Sequence, residues 1–342
     1  MADITIIPYA ERSETFYQER ADHLFYAPAW IQVMTDTYGF RFFTALNTET
    51  NDFIIFALVD RPVGPKIVSL PFSDYTLIDL EQAAPLLTAI RQAYPTVSIV
   101  LRVATGISAP AVLGEPVRQA YYHRVDTTPS DTTERQLSGS FRRGVRKAQK
   151  AGVQVQQSYD QEALREFYVL YHQLRIHKFE SIPQPYVFFE QVWEKFIRDR
   201  QGFILQARRE GQMIAAIVVL RHKNVWYYKF GCSAMDSLEH RPNNLLFAEL
   251  IRMATETAEI DEIDLGLSGT GESYAGLVRF KESMGGQRLH ITYYEQQPTD
   301  YDPGPEKAFK AMLSSLTEVM VQNELDIQAT DQFSQIIYPY FL

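Results

Sequence analysis

A chain of 342 residues is long enough for two domains of ordinary size, each burying its own core. Its 46% hydrophobic and 22% charged residues are a globular balance, and a formal net charge of -9 argues against DNA or nonspecific nucleic-acid binding by the protein as a whole. The single cysteine, Cys232, excludes a disulfide framework and a cysteine-based metal cluster, and the seven histidines show no metal-ligand spacing.

The first residues carry no basic flank ahead of a long apolar run, and no stretch holds 18 consecutive apolar residues. The reading is a cytoplasmic protein with no membrane span. In chain order, 53–59 and 66–70 are apolar runs of strand length, 80–94 has helical spacing, and 97–103 is rich in β-branched residues. The pattern breaks at Thr127-Thr128-Pro129-Ser130, where a hinge is expected. A basic helix over 138–151, a strand over 153–157 and two helices over 161–178 and 186–200 follow. Three strands come next, over 203–208, 213–221 and 225–231, with Glu210-Gly211 as the hairpin turn between the first two. A helix over 243–258, a strand over 260–265, a strand over 288–294 and a tail helix over 305–325 complete the chain. Helices, then a meander, then a helix and further strands make an α+β unit with a mixed sheet rather than a doubly wound one.

Two regions stand out chemically. Between Arg135 and Lys150 lie six cations and no acid. Arg142, Arg146 and Lys150 recur every four residues with Arg143 and Lys147 beside them, so one helix face is a cationic stripe suited to a phosphate-bearing ligand, although a solvated face has the same pattern. The second region, Asp264-Leu265-Gly266-Leu267-Ser268-Gly269-Thr270-Gly271, leads into Arg279-Phe280-Lys281 and stops at Gly285-Gly286. Here a strand breaks at glycines and Lys281 lies near its end, the usual place for a site in proteins of mixed sheet and helix. The spacing of Gly266, Gly269 and Gly271 does not fit a dinucleotide fingerprint. Asp74 follows a strand in Ser73-Asp74-Tyr75, where a carboxylate can cap a turn, hold an ammonium or take its proton. Of Tyr227 and Tyr228, on alternate faces of one strand, one belongs to the core and the other can reach a cleft.

These motifs, in the order Ser69-Leu70-Pro71-Phe72-Ser73-Asp74-Tyr75, then the Arg142 to Val153 segment, then Arg241-Pro242-Asn243-Asn244, then Arg279-Phe280-Lys281, resemble the FemAB-like branch of the GNAT acyltransferase superfamily. The resemblance runs from Pro28-Ala29-Trp30 to about Tyr294. It implies two tandem GNAT-like domains with mixed β-sheets and a substrate cleft between them: 1–126, 127–298, and a helical tail over 299–342 packing back on the first. It also implies acyl or aminoacyl transfer to an amine in cell-envelope, peptidoglycan or exopolysaccharide synthesis. No permanently bound cofactor is expected; the donor is an aminoacyl-tRNA or an acyl-CoA, and the acceptor a small molecule or sugar phosphate. Lys281 is expected to stabilise the oxyanion and Asp74 to serve the acceptor amine. Arg142, Arg143, Arg146, Lys150, Tyr228, Arg279 and Phe280 are expected to bind substrate, and Arg241, Asn243 and Asn244 the donor. The last position lacks the glycine usual in acetyl-CoA loops, and no heptad run supports a tRNA-binding coiled coil, so the donor stays open. The alternative is a non-catalytic GNAT-like module that binds an anionic sugar nucleotide or RNA through the basic helix.

Overall fold

A computed structural model describes residues 3–77, 80–104, 116–128, 137–323 and 325–342, the side chains of 80–82 excepted. The chain runs β1 (Ile4–Pro8), α1 (Glu14–Arg20), α2 (Pro28–Tyr38), β2 (Arg41–Asn47), β3 (Phe53–Val59), β4 (Lys66–Val68), α3 (Leu80–Ala93), β5 (Ser98–Ala104) and β6 (Pro116–Asp126). It continues through α4 (Gly139–Lys150), β7 (Gln154–Ser158), α5 (Gln161–Gln173), α6 (Tyr186–Val192), β8 (Gly202–Arg209), β9 (Gln212–His222), β10 (Val225–Ser233) and α7 (Pro242–Thr255). The last elements are β11 (Glu262–Gly269), α8 (Ala275–Ser283), β12 (Gln287–Gln296), α9 (Gly304–Gln322) and α10 (Ile327–Ile337).

Contacts divide the chain into two units. The first comprises Met1–Tyr121, Leu289–Ser314 and Pro339–Leu342. Its strands lie in the order β1-β2-β3-β4-β5-β12, antiparallel except where β4 runs parallel to β5. One face packs Ile54, Phe56, Ile99 and Leu101 against Leu86, Leu87 and Ile90 of α3, each at most 2% exposed. Burying side chains of that size contributes roughly 1.5–3 kcal/mol apiece. Near the other face, Lys66 and Arg61 hold Glu306 of α9 in a largely buried ion-pair cluster.

The second unit comprises Tyr122–Arg288 and Ser315–Tyr338, with strand order β6-β11-β10-β9-β8-β7. β7 to β10 form an antiparallel meander, and β10 runs parallel to β11. The expected hairpin forms between β8 and β9, with Glu210 at φ 52 and Gly211 at φ 83, the left-handed pair that a two-residue hairpin turn requires. α4 and α7 cover one face through Phe141, Leu246 and Leu250, each at most 1% exposed. On the other face the rings of Phe167, Phe188, Phe189 and Phe230 contact one another at 5.1–5.5 Å. Asp331 of α10 ties that layer down by accepting from the Tyr168 hydroxyl at 2.9 Å and the Tyr186 N–H at 2.5 Å.

Mixed sheets and α+β architecture are as expected. Sequential boundaries at 126 and 298 miss an exchange of strands: β12 completes the first unit's sheet at β5, and β6 from Tyr122 onward belongs with β11. The tail does not stay with the first unit. It divides after Ser314, and its second helix, α10, was not expected. The expected helices over 161–178 and 186–200 each end in a π turn, Leu174–Lys178 and Trp193–Ile197. The expected hinge lies only partly among the described residues, and Thr127 donates through its N–H to Asp261 O at 2.9 Å.

Candidate active site

The second unit has an opening in its sheet. β10 and β11 pair only from Val225/Glu262 to Tyr227/Asp264, yet β10 continues to Ser233 and β11 to Gly269. Both strands deform where they part. β10 shifts register against β9 between Tyr228 and Phe230. β11 bends at Gly266, φ 70, where Asp264 Oδ1 accepts the Gly266 N–H at 2.7 Å. A positive φ inside a strand marks a bulge, and glycine meets it without a Cβ penalty. The glycines therefore bend the strand and do not end it, so the expected break at 265 is corrected to Gly269.

The bulge exposes carbonyls that Lys281 satisfies. Its Nζ donates to Gly266 O at 2.8 Å and Leu267 O at 2.9 Å, and the residue is 3% exposed. Gly286 closes the last turn of α8 against that residue: its N–H donates to Lys281 O at 3.1 Å, and a Cβ there would lie 2.6 Å from the same oxygen. Behind Lys281, His123 of β6 is fully buried with both ring nitrogens unpaired among the described residues, and burial first and the Lys281 charge second lower its pKa to about 4. It stays neutral at physiological pH.

A pocket of about 140 Å³ lies in the opening. Tyr228, Gly231, Cys232 and Ser233 of β10 form one wall, Asn243 and Phe247 of α7 another, and Leu277, Phe280 and Lys281 of α8 a third. Leu174, Lys178 and Phe179, at the π turn after α5, complete it. Among the described residues its lining contains two lysines and no carboxylate. Burial raises the Cys232 pKa well above its ordinary value, so its thiol is no thiolate nucleophile here. Burial likewise raises the pKa of Tyr228, whose ring packs on Phe247 at 5.0 Å.

The expected site residues are thus partly gathered. Lys281, Phe280, Tyr228 and Asn243 line one pocket. Asn243 Oδ1 accepts from Ser233 Oγ at 2.9 Å, joining the start of α7 to the end of β10. Arg241 caps α7 at φ 58, so an arginine adopts the left-handed turn that a glycine would ease. Arg241 itself is exposed, and Asn244 donates its N–H to Arg241 O at 3.1 Å. Arg142, Arg143, Arg146 and Lys150 are exposed along α4, and Arg279 is exposed on α8; none of these five lines the pocket. Asp74 belongs to the first unit, half-buried. Sequence reasoning did not identify Phe179, Cys232, Ser233 or Phe247. The signal for Cys232 and Ser233 was a run of small residues, Gly231-Cys232-Ser233, at a strand end.

The first unit also has a short parallel pair, β4 with β5, and there the chain itself continues the pairing. β4 pairs with β5 only from Lys66/Ser98 to Val68/Val100. Then Ser69 N–H donates to Val100 O at 2.9 Å, Thr76 N–H to Arg102 O at 2.7 Å, and Ala104 N–H to Thr76 O at 3.1 Å. The segment carrying Asp74 thus runs alongside β5, bridged to it at Thr76 and Val103.

Residues 135–282 match the family described as acetyltransferase (GNAT) domain. No curated protein matches the chain by sequence. A crystal structure of FemX superposes at TM-score 0.62, with 12% identity over 91% of this chain and 100% of that one. The C-terminal domain of a putative lysylphosphatidylglycerol synthetase from Agrobacterium fabrum gives 0.57, with 14% identity over 89% and 97%. A tandem GNAT protein from the clavulanic acid biosynthesis pathway gives 0.51, with 10% identity over 88% and 100%. At these identities the likeness is one of fold. Among the described residues no helix is long and apolar enough to cross a membrane.

Proposed function

We propose, for a chain that carries a GNAT acetyltransferase domain over residues 135–282 within a FemAB-like fold, that the second unit transfers a small uncharged acyl group from a coenzyme A-type thioester to an amine. The observation that carries this reading is the pocket in the open sheet, which has no carboxylate among the described residues that line it. An aminoacyl donor would bring an ammonium group beside the buried Lys281 and the exposed Lys178, with no carboxylate among the described lining residues to pair with it, and such like-charge contact is disfavoured. A plain acyl chain meets Leu174, Ile217, Phe247, Leu277 and Phe280 instead.

The chemistry asks little else of the protein. The amine nitrogen bonds to the acyl carbon, the carbon–sulfur bond breaks, and the proton that the amine gives up ends on the leaving thiolate, so that an amide and a free thiol are formed. Negative charge grows on the carbonyl oxygen on the way, and the fixed positive charge of Lys281 in the pocket wall favours it. The donor's diphosphate is assigned to the start of α7, which reaches the pocket at Asn243, because the positive end of the helix favours an anion there even though Pro242 has no N–H and Asn244 N–H already donates to Arg241 O. The exposed stripe of Arg142, Arg146 and Lys150 offers cations to the anionic parts of either substrate. The names of two structural neighbours, FemX and lysylphosphatidylglycerol synthetase, support an acceptor from cell-envelope synthesis.

A donor panel tests the reading. Acetyl-, propionyl- and butyryl-CoA are each offered with a mixture of amino sugars and diamines, against aminoacyl-tRNA as the alternative donor, and release of free thiol or deacylated tRNA is followed. Turnover with the thioesters and none with aminoacyl-tRNA is expected. Turnover with aminoacyl-tRNA alone overturns the donor assignment.

A further inference from the structure

We propose that the first unit contains a phosphate-binding site formed by Arg102 and Arg118, both of which lie over the ring of Tyr293. Tyr293 of β12 lies directly opposite Arg102 of β5 in their antiparallel register, and β12 is the strand between β5 and β6, which carries Arg118. The Arg102 guanidinium carbon is 5.5 Å from the Tyr293 ring centroid and that of Arg118 is 4.9 Å from it. The two cations are therefore at most about 10.4 Å apart, the sum of those distances.

Two guanidinium groups held this close repel each other, and an exposed cation is free to turn away. Arg102 cannot. Its Nη1 donates to Ser73 O at 3.0 Å, its backbone N–H donates to Ser69 Oγ at 3.2 Å, and its Nε is buried with no partner among the described residues. Burial lowers its pKa, and the like charge of Arg118 adds to that effect. Neither arginine forms a salt bridge with a carboxylate among the described residues. The nearby Asp74 charge acts on Arg102 in the opposite sense, so the three groups together keep an excess of one positive charge.

A fixed pair of planar, charge-bearing forks with an unsatisfied donor fits a tetrahedral oxyanion with several acceptor oxygens. A phosphate or diphosphate spans the pair, and Tyr293 holds both guanidiniums in place by its ring face. This site is separate from the acyl pocket of the second unit and does not depend on which donor that pocket takes.

The test is calorimetric titration of the full chain with inorganic pyrophosphate at low salt, without acyl donor. The variants are Arg118→Gln, Arg102→Lys, and the triple change Arg142→Gln, Arg146→Gln, Lys150→Gln. Arg118 is exposed, so its variant keeps the fold, and Arg102→Lys retains the charge but loses the fork. The Arg118 and Arg102 variants are each expected to weaken the tightest pyrophosphate binding roughly 10-fold or more, as loss of a charge-assisted contact does, while the triple variant removes only weaker, salt-sensitive binding on the α4 stripe and keeps the tightest phase. Loss of binding in the triple variant with no change in the other two overturns the proposal, as does citrate binding more tightly than pyrophosphate.

Discussion

Lys281→Met lowers acyl transfer on the order of 10²-fold and destabilises the second unit by about 3 kcal/mol. Methionine fills nearly the same space, so the loss isolates the ammonium. Two main-chain carbonyls, Gly266 O and Leu267 O, lose a charged donor in a position only 3% exposed. Hydrogen bonds to a charged group contribute roughly 1.5–3 kcal/mol each, and buried carbonyls left unpaired add to the cost. The bulge that parts β11 from β10 then relaxes, and the pocket loses both its shape and its positive field. Urea denaturation reads the first effect and single-turnover kinetics the second. Lys281→Arg restores the charge and serves as the control: recovery of stability without turnover separates the bracing of β11 from the charge stabilisation. Wild-type turnover in Lys281→Met removes Lys281 from the chemistry.

Glu306→Ala destabilises the first unit by roughly 3–5 kcal/mol, the cost of breaking a buried pair and leaving its partners charged. Glu306 accepts from Arg61 at 2.8 Å and lies 3.5 Å from Lys66, whose side chains are 6% and 4% exposed. Lys66 keeps Glu295 at 3.3 Å, whereas Arg61 is left with no carboxylate among those pairs. The same cluster sets an acid limit. Burial raises the Glu306 pKa, but Lys66 and Arg61 outweigh it and hold the group below its ordinary 4.5. A carboxyl with a depressed folded pKa contributes stability that is complete above the unfolded value and is lost as the pH falls through the folded one. The thermal midpoint of the wild type should therefore drop below about pH 4.5, and that of Glu306→Ala should drop less. Equal acid sensitivity of the two proteins contradicts the assignment.

Local patterns in the sequence carried the helix with the cationic stripe, the Glu210-Gly211 hairpin and the meander, because their determinants lie within a few residues of one another. The Phe280-Lys281 pair, singled out from the sequence, lies in the wall of the second unit's pocket. Its burial was not legible, since the carbonyls that Lys281 caps face it only after Gly266 bends a strand fourteen or fifteen residues earlier. α10 is short and half polar, so its helical period was hidden until Tyr168 and Tyr186 gave Asp331 a role. The exchange of β6 and β12 is a property of pairing between distant segments, which periodicity does not encode. Arg102 sits opposite Tyr293 for the same reason: strand register, and not spacing along the chain, brings them together.

The most direct measurement of the central claim compares two isosteric donors, propionyl-CoA and glycyl-CoA, which differ only in a terminal methyl against an ammonium. A pocket with Lys178 and Lys281 in its wall and no carboxylate among the described residues should favour the propionyl group at least about 10-fold in kcat/KM, a difference of roughly 1.4 kcal/mol. Preference for the glycyl donor would show that the pocket holds an amino group, and would contradict the assignment of an uncharged acyl donor.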